Sequence, residues 1–111
     1  MVGQFQRARL TEVLPEFALE LRSLLEQSGE HQLAEQIDEL AIFDVCRCGD
    51  WFCASFYTQP KPKGAYDSPH DTIVLEPKEG ELLLEIVGGR IAHVEILHRD
   101  GIRDILQSRF P

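Results

Sequence analysis

The hydrophobic period of this chain changes once, at Ala41, and that change constrains the fold more than any other feature. Before it, Leu14, Phe17, Leu21, Leu24 and Leu25 recur at helical spacing with Ala18 on the same face. Pro15 falls in the first turn, where a missing backbone donor costs little, and Ser28-Gly29 interrupts the pattern. The spacing predicts a helix over 12–27. Leu33, Ala34, Ile37, Leu40 and Ala41 then predict a second helix over 30–40, so that residues 12–40 form a helical hairpin with apolar stripes inward and carboxylates outward.

After Ala41 the period is two and the side chains become β-branched and aromatic. Segments 42–48 and 51–58 read as strands joined at Gly49-Asp50, a pair suited to a tight hairpin turn. Residues 59–71 are rich in proline, glycine and other turn formers and read as a loop. A third strand is expected over 72–76, and a second hairpin pairs 81–87 with 90–97 around Gly88-Gly89. Asp100 reads as the cap of a short helix over 100–109 carrying Ile102, Ile105 and Leu106. The order ααβββββα predicts a single α+β domain over 1–111: an N-terminal helical hairpin, an antiparallel sheet of about five strands over 42–97, and a short C-terminal helix.

Charge is concentrated in the helical part. Residues 11–44 hold nine acids against the single base Arg22, which accounts for the whole formal net charge of −8. Phosphate contacts want a basic stripe, so direct nucleic-acid binding is not expected. An acidic helical surface complements a basic protein partner, and Glu16, Glu20, Glu35 and Glu39, with Trp51 of the first hairpin, are the candidate contacts; charged helix faces also serve simply to keep a protein in solution. No run approaches the roughly 20 apolar residues of a membrane helix. The first ten residues carry Arg7 and Arg9 but no apolar core or small-residue cleavage site. A soluble cytoplasmic protein, monomer or homodimer, is the expectation.

All three cysteines lie within eight residues, at Cys46, Cys48 and Cys53, an odd number and a poor framework for disulfides. With Gly49-Asp50 as the turn, Cys48 faces Trp51 and Cys46 faces Cys53, and directly opposed Cβ atoms stand about 4.5 to 5.5 Å apart. The thiols then share a face with Asp44, Trp51, Ser55 and Tyr57, while Phe43, Val45, Phe52, Ala54 and Phe56 occupy the hydrophobic one. Three readings follow. The cysteines can bind zinc with His70 as fourth ligand, since three cysteines and a histidine make an ordinary structural site, although C-x-C with C-x4-C is not a standard zinc spacing. They can do thiol chemistry, activated by Arg47 or by His70 with Asp71. Or they can pack as small buried hydrophobes. Phosphate-loop, dinucleotide, zinc-protease and serine-elbow signatures are missing from the sequence, so no enzyme class is assigned.

The run from Cys46 through Cys48, Gly49, Asp50, Trp51, Phe52 and Cys53 to Phe56-Tyr57-Thr58, preceded by Leu33-Ala34-Glu35-Gln36-Ile37, resembles a family of small bacterial proteins carried as uncharacterised. The resemblance covers most of the chain, extending through Gly80, the strand from Glu81 and the Val94-Glu95-Ile96-Leu97 segment. It implies a bacterial origin and no particular chemistry. In size and acidity the chain is also similar in character to immunity proteins and antitoxins, an analogy of class alone.

Overall fold

A computed structural model describes residues 8–60 and 70–111. Two short elements open it: β1 (Ala8–Arg9) and α1 (Leu10–Val13). The chain breaks at Leu14, and α2 (Pro15–Gln27) starts with the proline at its first position. The expected single helix over 12–27 is therefore two, because Pro15 has no N–H with which to continue α1. The second expected helix is α3 (His31–Gln36) finished by a 3-10 turn (Ile37–Glu39). Gly29, at φ +80, and the amide of Glu30, bonded to the Leu25 carbonyl at 2.8 Å, close α2.

The strand expected over 42–48 is split. Strand β2 (Ala41–Ile42) pairs with β1 in a two-stranded sheet, and β3 (Asp44–Val45) is an edge of the main sheet. Then come β4 (Phe56–Tyr57), β5 (His70–Leu75), β6 (Glu81–Val87), β7 (Arg90–Leu97) and α4 (Asp100–Arg109). The main sheet is antiparallel, ordered β3-β4-β7-β6-β5, so β4 lies against β7 and the cysteine segment borders the last strand. Asp100 does not cap α4: Arg99 occupies the cap position, and Asp100 is the first helical residue, 3.6 Å from Arg103. Its charge still suits a helix N-terminus. Of the loop read over 59–71, residues 61–69 lie outside the described part, and His70 and Asp71 belong to β5.

Alternation sets the two faces of the sheet. Val45, Phe56, Leu82, Leu84, Val94 and Ile96 are buried and join Phe17, Leu21, Leu25, Ile37, Ile102 and Leu106 of the helical segments in one core. Phe56 is fully buried and meets Phe17 edge-on at 6.4 Å between ring centroids. The opposite face carries Tyr57, His93, Glu95 and Glu85, all partly exposed. No helix among the described residues is long and apolar enough to cross a membrane.

Candidate metal centre

Gly49 has φ +86, but Asp50 is not in the left-handed region. No ladder pair closes around the two, Cys48 and Trp51 both lying outside the strands, so the tight turn expected at Gly49-Asp50 does not form. The ladder stops early instead: Asp44 pairs with Tyr57, Val45 with Phe56, and the Cys46 amide donates to the Ser55 carbonyl at 2.9 Å. Cys46 thus faces Ser55 rather than Cys53. The register differs from the expected one by two residues, and an even shift leaves paired side chains on their own faces, so Cys46 and Cys53 stay on one side. Beyond the pairing the expected faces are not kept: Phe52, expected on the hydrophobic face, lines the cysteine cavity with Cys48, and Trp51 does not.

The second arm is tied to β7 and α4. The Cys53 amide donates to the Asp50 carbonyl at 3.2 Å, closing a turn with Trp51 and Phe52 at its corner, and Cys53 bridges Leu97. The Ala54 amide donates to the Ile96 carbonyl and the His98 amide to the Phe52 carbonyl, each at 2.8 Å. His98, at φ +63, stacks on Phe52 at 5.4 Å, and the Arg103 guanidinium donates to the Trp51 carbonyl. Buried Ser55 accepts the Ile96 amide at 2.9 Å and the Cys53 thiol at 3.3 Å. The loop is irregular, yet its backbone is pinned at several points.

On this scaffold the sulfurs of Cys46, Cys48 and Cys53 lie within 4.8 Å of one another. All three are free thiols, Cys48 exposed and the others half-buried. Thiols that served only as packing would be expected deeper than this. Zn–S bonds of about 2.3 Å at tetrahedral angles place sulfurs about 3.8 Å apart, so a soft ion would have to draw this cluster in by no more than about 1 Å. The three cysteines can therefore hold a metal ion.

The thiols differ electrostatically. Burial pushes the Cys46 thiol up to about 11, with the neighbouring Cys53 charge adding to the rise. Burial also acts upward on Cys53, but hydrogen bonds from Ser55 and from the Cys48 and Cys46 thiols stabilise its thiolate and bring it below the ordinary value. Tyr57 is raised by burial and then by the charges of Cys46, Cys53, Asp44 and Cys48. Each deprotonation here is opposed by the charge of the others, an opposition that a bound cation would offset.

The other residues singled out by sequence fall elsewhere. His70 is not with the cysteines: it starts β5, pairs with Val87 at the turn end of the β6–β7 hairpin, and its ring contacts Glu85. Three strand spacings, about 14 Å, separate β5 from β4, and Cys53 sits at the far end of β7. The strand pairing of residues 70–75 carries His70 to the opposite edge, which also removes it and Asp71 as activators of a thiol. Arg47, the other expected activator, is paired with Asp44 at 3.1 Å. Among the acidic residues, Glu20 is held by Arg99 through two bonds of 2.8 and 3.0 Å. Glu16, Glu35 and Glu39 are exposed, as is Trp51 at 68%.

Sequence reasoning missed the residues that β7 brings beside the sulfurs. A cavity of about 290 Å³ is lined by the three cysteines with Asp50, Ser55, Tyr57, His93 and Glu95 among others. Tyr57 and His93 face each other across β4 and β7, their rings stacked at 4.4 Å. The β4–β7 pairing that assembles this wall has no local signature in the sequence; the signal available was the period-two placement of His93 and Glu95 on one face of a strand. A larger cavity, about 730 Å³, lies between α2 and the start of α4, around the Arg99–Glu20 pair. No protein-family model matches the chain, and comparison with curated proteins and with solved structures finds no significant match.

Proposed function

We propose that this chain is a small metal-binding protein that holds one zinc ion on the thiolates of Cys46, Cys48 and Cys53. The observation that carries the reading is the convergence of three free sulfurs within 4.8 Å on a pinned loop. Soft thiolate ligands select zinc or copper(I) among the common metals, and zinc suits a cluster open to further coordination. The role is binding rather than catalysis, and reduced cysteines fit a cytoplasmic setting. Elemental mass spectrometry on protein purified without chelator or affinity metal tests it. The expected result is one zinc per chain, lost in Cys46→Ser and in Cys53→Ser while the fold is retained. Metal-free protein that takes up no added zinc would overturn it.

A second reading is favoured by the exposure of Glu16, Glu35 and Glu39. They form an acidic surface for a basic protein partner, to which Trp51 could add an exposed aromatic contact. Charge reversal at these three glutamates should abolish capture of that partner; unchanged capture would remove the reading.

A further inference from the structure

Three thiolates fill three corners of a tetrahedron. A closed structural site would meet the fourth corner with packed protein. Here the sulfurs instead form part of the wall of a cavity of about 290 Å³, with Cys48 exposed. At about 30 Å³ for each water, that space admits several solvent molecules or one small ligand. Resting on the three-thiolate zinc reading, we infer that the fourth ligand is an exchangeable, neutral oxygen or nitrogen donor taken from solution into this cavity.

Charge decides the class of donor. Zinc on three thiolates carries a net negative charge, and the same cavity is lined by Asp50 and Glu95. Of the bases at this loop, Arg47 is engaged with Asp44, and Arg103 with Asp100 and Asp104. An anionic ligand therefore enters against like charges, whereas water or a neutral nitrogen heterocycle does not. The stacked rings of Tyr57 and His93 add a flat aromatic section to the wall, suited to a planar heterocycle. An open position lets a ligand or an acceptor's side chain reach the metal, so the site works by exchange rather than as a permanent staple.

Cobalt(II) substitution of the full chain reports both halves of this inference. The sulfur-to-cobalt charge-transfer band counts thiolates, and the visible ligand-field bands report the fourth donor. Titrating imidazole should shift the ligand-field bands saturably at one equivalent per cobalt while the charge-transfer band persists, and azide at equal concentration should not. His93→Ala should keep the metal-only spectrum. A full charge-transfer band with no response to imidazole, a response to azide instead, or a metal-only spectrum altered by His93→Ala would overturn the open neutral site and leave the thiolate site standing. No cobalt uptake would overturn the zinc reading itself.

Discussion

The β6–β7 hairpin and the cysteine hairpin carry similar turn sequences, Gly88-Gly89 and Gly49-Asp50, and fold differently. In the first, both glycines take positive φ, +59 and +80, and the ladder runs from Val87–Arg90 to Glu81–Leu97 with one irregularity at Glu85/Ile86. In the second only the glycine does, the regular pairing ends at Val45–Phe56, and the intervening chain is held by β7 and α4. One turn residue, aspartate for glycine, accompanies the change from a ladder to a loop. The ladder leaves little room for anything but pairing; the loop presents three thiols. The comparison teaches that the cysteine loop draws its order from its root and its neighbours, whereas the β6–β7 hairpin closes on its own turn and is flanked on both sides by paired strands.

The strongest way to break this comparison is to remove the root. Phe56→Ala deletes a fully buried ring that touches Phe17. It should destabilise the whole domain by about 3 to 5 kcal/mol, measured by urea unfolding. A loss below about 1 kcal/mol would mean that the loop is not anchored there.

Removing metal should separate the two hairpins. With zinc at about 100 times its dissociation constant, binding contributes about 2.7 kcal/mol. Chelation should therefore speed hydrogen exchange at the Cys46 and Ala54 amides, by up to about 100-fold where opening releases the ion. The β6–β7 amides should respond far less. Equal acceleration in both hairpins would show that the metal stabilises the domain globally rather than the loop.

The smallest effect belongs to the tight turn. Gly89, at φ +80, has open space where a Cβ would stand, so Gly89→Ala is opposed by backbone conformation alone. It should cost about 1 to 2 kcal/mol and leave zinc content unchanged. A loss of zinc in this variant would contradict the independence of the two hairpins.

What could be read from sequence follows the same division. Strands β6 and β7 and their glycine turn match their expected bounds, because alternation and turn chemistry agree there. The α+β class and the five-stranded antiparallel sheet follow from the period change at Ala41. Strand β1, two residues long, is too short to show a period, and the split between β2 and β3 depends on which sheet each half joins. The grouping of Cys46 with Cys53 was readable even with the wrong register, because paired faces survive a two-residue slip. The addition of His93 and Glu95 to that face, where Tyr57 was already placed, was not readable, since it depends on β4 pairing with a strand more than 30 residues away. His70 was misplaced for the complementary reason: nearness in sequence suggested a tie that strand order does not allow.

X-ray absorption at the zinc edge, on protein loaded with one equivalent of zinc, tests the central claim most directly. The account predicts three sulfur neighbours at about 2.3 Å and one lighter nitrogen or oxygen neighbour at about 2.0 to 2.1 Å. A shell of nitrogen and oxygen alone, or one with fewer than three sulfurs, would contradict it.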